Sequence, residues 1–78
     1  MWEVHYSREA ATYLEDNGQL IADLFFAMES LADTEGRPIN NYVEDVQGLI
    51  YWLIEGHTAV YRRAESEQVA RIISIKPD

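Results

Sequence analysis

The sequence contains no cysteine, which removes disulfide staples and thiolate metal sites from the ways so short a chain can be held together. Cations are scarce: six Lys and Arg stand against 14 Asp and Glu, for a formal net charge of −8. Long apolar runs are missing too, since no segment approaches the roughly 20 residues of a membrane span. Met1-Trp2-Glu3-Val4-His5 lacks the basic region and apolar core that open a signal peptide. These absences lead us to expect a soluble cytoplasmic domain. At 78 residues it forms one domain, residues 1–78, burying only about 60% of its unfolded surface, so its core is thin.

The negative charge is unevenly placed. Residues 1–48 hold ten acids against Arg8 and Arg37, whereas residues 49–78 hold four acids against Arg62, Arg63, Arg71 and Lys76. A solvated acidic helical face that keeps a small domain soluble accounts for the first half. The overall field opposes non-specific nucleic-acid binding, which draws its affinity from cations on phosphates.

The richest β signal lies after Gln47. Leu49-Ile50-Tyr51-Trp52-Leu53-Ile54 is apolar throughout and dense in β-branched and aromatic residues. Glu55-Gly56 breaks it, His57–Arg63 resumes an extended pattern, and Ala64–Glu67 separates that from Gln68–Ile75. Short strands parted by turn residues at this spacing predict an antiparallel meander. Upstream, Trp2, Val4 and Tyr6 alternate with Glu3 and His5, the period of a half-buried strand. Ser7 fits a helix N-cap, Ala10, Tyr13 and Leu14 share a face, and Asn17-Gly18 supplies residues for a left-handed cap. A second helix is predicted over Gln19–Ala32, with Leu20, Ile21, Leu24, Phe25, Met28, Leu31 and Ala32 as its apolar stripe and Phe26 at the edge. From Asp33 to Val46 the pattern dissolves into a loop long enough to be functional or mobile. The predicted class is α+β, a strand, a two-helix hairpin and a three-stranded antiparallel meander (β-α-α-β-β-β), with the helices on one sheet face.

A two-residue hairpin at Glu55-Gly56 sets Ile54 opposite His57 and Trp52 opposite Ala59. Centring the second turn on Ser66 sets Tyr61 opposite Arg71. One face then carries Ile50, Trp52, Ile54, His57, Ala59, Tyr61, Arg63, Val69, Arg71 and Ile73. The other carries Leu49, Tyr51, Leu53, Thr58, Val60, Arg62, Ala70, Ile72 and Ser74. The helix hairpin is expected on this second face, leaving Trp52, His57, Tyr61, Arg63 and Arg71 together on the open one.

This order of elements resembles the RelE/ParE superfamily of bacterial toxins from toxin–antitoxin modules. Val4-His5-Tyr6-Ser7-Arg8-Glu9-Ala10 resembles that family's opening strand running into its first helix. His57-Thr58-Ala59-Val60-Tyr61-Arg62 resembles its third-strand segment, and Val69–Ile75 its last strand. The resemblance implies a toxin component that acts on translation or gyrase and is held by an antitoxin-like partner, with the ribosome or mRNA as further partners. Members that cut mRNA on the ribosome use basic residues on the open sheet face. Here those positions fall on Trp52, Ile54 and Thr58, and the terminal basic segment falls on Lys76-Pro77-Asp78. The usual ribonuclease set is therefore largely missing.

RNA cleavage needs a base, cations for the phosphorane charge and an acid for the leaving group. His57, Tyr61 and Arg71 are the catalytic candidates, each with a plain structural role beside it: turn end, sheet packing and satisfied arginine. Candidates for partner or RNA contact are Trp52, Arg62, Arg63, Arg71 and Lys76. No metal site is expected, because neither histidine has ligand spacing to a carboxylate cluster. No cofactor motif, phosphate loop or nucleophile elbow occurs. A non-catalytic interaction module on the same scaffold, binding a partner segment by its edge strand or aromatic face, is the second reading, and a small nuclease using His57, Tyr61 and Arg71 the third.

Overall fold

The period-two stretches at the two ends of the chain meet in a single sheet. In the computed structural model, which describes residues 1–78, β1 (Glu3–Tyr6) leads into α1 (Arg8–Asn17) and α2 (Ala22–Glu29), followed by a 3₁₀ turn at Ser30–Ala32. Then come β2 (Tyr42–Glu44), β3 (Leu49–Ile54), β4 (His57–Ala64) and β5 (Val69–Pro77). The strand order is β1-β5-β4-β3-β2, with β1 parallel to β5 and every other pair antiparallel. The helices cover one sheet face and the other is open. No helix is long and apolar enough to cross a membrane.

Local chemistry sets the start of the helical layer. Ser7 Oγ accepts from the Ala10 amide at 3.1 Å, capping α1 as its sequence requires. Gly18 is right-handed, with φ −53°, and so does not provide the left-handed cap expected there. Instead the Leu20 and Ile21 amides both turn back onto the Asn17 carbonyl. This turn delays α2 to Ala22 and leaves Leu20 fully outside the apolar stripe. Leu24, Met28 and Leu31 reach the core as their spacing predicts.

The loop 33–46 yields a strand that periodicity missed. Tyr42–Glu44 pairs antiparallel with Ile50–Trp52, and three residues are too few for an alternation to be read. Its residues are all exposed; backbone pairing holds it rather than burial. The loop is tied down by Tyr61, whose hydroxyl donates to the Gly36 carbonyl at 2.7 Å.

The first hairpin forms as expected. Glu55 and Gly56 both have positive φ, the geometry of a two-residue turn matched to strand twist, and Ile54 pairs with His57 and Trp52 with Ala59. The second hairpin is shifted by one residue. Gln68 takes a left-handed φ of 57° and belongs to the turn rather than the strand. Tyr61 is thereby opposite Ile72, and Arg71 opposite Arg62. A one-residue slip exchanges the faces of a strand, so Ala70 and Ile72 join Tyr61 while Arg71 goes to the other side. A bulge at Ile73 then resets the alternation and brings Ile75 in beside Ala59.

The helices consequently cover the face opposite to the one expected. Ile50, Trp52, Ala59, Tyr61, Ala70, Ile72 and Ile75 meet Ala10, Leu14, Leu24, Met28 and Leu31 in one core. Trp52 and Tyr61 pack edge to face with ring centroids 6.4 Å apart, a contact worth about 0.5–1.5 kcal/mol beyond its area.

Candidate functional site

The open sheet face presents side chains that the register aligns in rows. Residues directly opposite one another in a ladder share a face. His5 pairs with Arg71, Arg71 with Arg62, and Arg62 with Leu49. The row therefore runs His5, Arg71, Arg62, Leu49 across four strands. The next row is Ser74, Val60, Tyr51, Val43, and the next Lys76, Thr58, Leu53. Half of the chain's six Lys and Arg thus lie on this face. They flank an exposed apolar strip of Val43, Tyr51 and Leu53.

The cations differ in how they are held. Arg71 Nη2 donates to both carboxylate oxygens of Glu67, at 2.8 and 3.1 Å. Both partners are about half exposed, so the pair orients the guanidinium more than it stabilises the fold. Arg62 and Lys76 form no ion pair. His5 Nε2 lies 2.8 Å from Glu3 Oε1, and Thr58 Oγ1 donates to Asp78 at 2.7 Å. On β3, the Tyr51 hydroxyl lies 3.5 Å from Asp45 Oδ2.

Of the five residues expected together on the open face, only Arg71 is there; Trp52, His57, Tyr61 and Arg63 are on the helix-covered side. Trp52 and Tyr61 lie in the core and His57 is buried at its edge. The Glu55 carbonyl, which can only accept, lies 2.7 Å from His57 Nδ1, so that nitrogen carries the proton. His57 Nε2 then accepts from the Tyr13 hydroxyl at 2.7 Å. With both ring nitrogens engaged, His57 has no lone pair free for proton abstraction. Burial pushes the Tyr61 hydroxyl well above the ordinary tyrosine range, with Arg63 opposing the shift, and its proton goes to Gly36. Arg63 stacks over Trp2 at 4.9 Å and donates to the Glu35 carbonyl at 2.8 Å, holding the loop rather than facing solvent on the open side. Arg62, Arg71 and Lys76 are brought together; His57, Tyr61, Trp52 and Arg63 are not among them.

His5 is the member of this row that the sequence pattern did not single out as a candidate. Only the parallel pairing of β1 with β5 sets it beside Arg71, and no local periodicity carries that information. Together His5, Arg71 and Arg62 can hold an anion, with Tyr51 as an aromatic surface alongside.

No protein-family model matches the sequence, and comparison with curated proteins gives no relative. Solved structures do match. A chain of the toxin–antitoxin complex RelBE2 from Mycobacterium tuberculosis superposes with TM-score 0.71 at 16% identity, covering 99% of this chain and 98% of that one. A chain of the intact RelBE toxin–antitoxin complex of E. coli matches with TM-score 0.63, also at 16% identity, covering 96% and 99%. The chain has the RelE-like fold.

Within this RelE-like fold the positions at which the resemblance expects cations can be placed. Trp52 and Ile54 alternate onto the helix-covered side of β3, and Tyr51 and Leu53 take the open side. Thr58 is on the open face with its hydroxyl committed to Asp78. The cationic side of this RelE-like face is therefore β4–β5, and its β3 side is apolar.

Proposed function

We propose that this chain is the toxin component of a toxin–antitoxin pair, that it inhibits translation through its open sheet face, and that it lacks most of the basic residues used by its catalytic relatives. The end-to-end match to chains of two toxin–antitoxin complexes supports the reading. The row His5–Arg71–Arg62 supports the choice of face. Two neighbouring guanidinium groups, that of Arg71 oriented by Glu67, suit a phosphodiester, and Tyr51 offers a surface on which a base can stack. His5, its Nε2 turned to Glu3, is the one imidazole in the row, and with few cations to carry phosphorane charge, binding and occlusion contribute more than cleavage.

The test is inhibition of a cell-free translation reaction by the purified chain, followed by mapping of mRNA ends. Inhibition is expected from the natural chain and its loss from Arg62→Ala combined with Arg71→Ala. The exposed Glu67–Arg71 pair is worth at most about 1 kcal/mol, so the double variant stays folded. Undiminished inhibition by that variant would remove the open face from the reading.

A second reading, a non-catalytic interaction module on the same scaffold, is favoured by one observation. Val43, Tyr51 and Leu53 form an exposed apolar strip that runs from β3 onto the β2 edge strand, a surface suited to a partner's strand. Translation unaffected by a folded chain that still binds a partner protein supports this alternative.

A further inference from the structure

The helical layer carries a second apolar surface on the far side of the molecule. Six of the eight residues of α2, Ala22-Asp23-Leu24-Phe25-Phe26-Ala27-Met28-Glu29, are apolar. A helix apolar on most of its circumference is normally covered on more than one side. Here Leu24 and Met28 are in the core, while Phe25 is 42% and Phe26 68% exposed. Between the end of α1 and α2 lies a cavity of about 290 Å³, whose lining includes Leu14, Glu15, Gly18, Ile21, Phe25 and Phe26. Small-molecule pockets run from about 300 to 1,000 Å³, so this one suits an anchoring side chain of a peptide better than a whole ligand.

Charge selects among occupants. From Glu9 to Glu35 the sequence has no lysine, arginine or histidine. Glu15, Asp16 and Asp23, all exposed, stand close to the cavity in sequence, and Glu15 and Asp16 also line the depression beside it. A second copy of this chain would bring the same acids against them. An anionic lipid surface would be repelled. We infer that the Phe25–Phe26 face docks a basic amphipathic helix of a protein partner, with a large apolar side chain seated between α1 and α2 and Lys or Arg residues against Glu15, Asp16 and Asp23. This surface is behind the sheet, away from Arg62 and Arg71, so the inference does not depend on the toxin reading.

The test uses two synthetic helix-forming peptides with the same Leu and Trp face, one with Lys and Arg on its other face and one with Glu. Each is titrated against the full chain by fluorescence anisotropy at roughly 0.15 M ionic strength. Saturable binding of the basic peptide is expected, with the acidic peptide and the Phe26→Ser variant each weaker by about tenfold or more. Glu15→Lys with Asp23→Lys should also weaken it, and Leu53→Ser on the open face should not. Circular dichroism verifies that the variants are folded. Equal binding of the two peptides, or full affinity in Phe26→Ser, overturns the inference. So does sedimentation showing a dimer of the natural chain that Phe26→Ser disperses.

Discussion

Single tyrosines connect this fold to pH. Tyr61 is fully buried, and its hydroxyl is the tether of the loop through Gly36. Burial holds its proton well above the ordinary tyrosine value of about 10. Tyr6 is shifted in the same direction, by burial and then by its hydrogen bond to Glu29. A pKa raised by folding means that the native state keeps a proton the unfolded chain releases. Stability is therefore fully present below about pH 10 and declines as pH rises beyond it. For Tyr61 the slope is up to about 1.4 kcal/mol per pH unit. Thermal unfolding followed from about pH 8 to about pH 11 should show that decline, and Tyr61→Phe should flatten it. The same variant should cost about 1–3 kcal/mol at neutral pH, because the buried Gly36 carbonyl loses its donor. A base limb as steep in Tyr61→Phe as in the natural chain would remove Tyr61 from the account.

At the scale of elements, the turns carry specific and unequal demands. Gly36 and Gly48 both have positive φ, 76° and 89°. A Cβ on Gly48 would meet nothing within 4 Å, whereas one on Gly36 would lie 3.0 Å from the Trp2 ring and 3.2 Å from Arg63. Gly48→Ala should cost about 1 kcal/mol from backbone strain alone. Gly36→Ala should cost clearly more, since it also parts Arg63 from Trp2. Urea unfolding of the two variants compares them, and equal midpoints would contradict the steric argument. Turn chemistry also decides how much of the fold was legible. Glu55-Gly56 was readable because its glycine marks the turn and a two-residue loop fixes one register. The second turn was not, because Gln68 gives no sign in the sequence that it will adopt φ 57°. That single residue reversed the face of Arg71 and with it the position of the helical layer. The α2 start was misread for a similar reason, since Leu20 fits the stripe by spacing but a turn on the Asn17 carbonyl expels it. Of the candidate residues, those on β4 and β5 whose faces followed the corrected register, Arg62, Arg71 and Lys76, are on the open face. His5 required a pairing between distant strands that local pattern cannot encode.

At the scale of the whole molecule, charge is polarised between its two sides. Past Arg8 at its start, the helical layer has acids without cations, and the open sheet face has three of the six basic side chains. Repulsion among exposed acids destabilises a compact state and weakens with screening. Raising ionic strength from about 0.01 M to about 0.15 M shortens the Debye length from about 30 Å to about 8 Å. The midpoint of thermal unfolding should therefore rise over that range, and a fall would mean that attractive pairs dominate. The parallel seat of β1 against β5 has a different consequence. Ser7 and Ile73, joined through the Ser7 hydroxyl at 2.6 Å, are 66 positions apart. Contacts so remote along the chain form late and slow the search for the native state. During synthesis β1 emerges long before the strand it lies against, so Trp2, Val4 and Tyr6 stay uncovered while the remainder is made. His5 and Arg71 become neighbours only when that last strand docks. Whatever the open face binds, a nascent chain has no complete surface to offer it until β5 has emerged and docked, so competence arrives in one step rather than gradually with length.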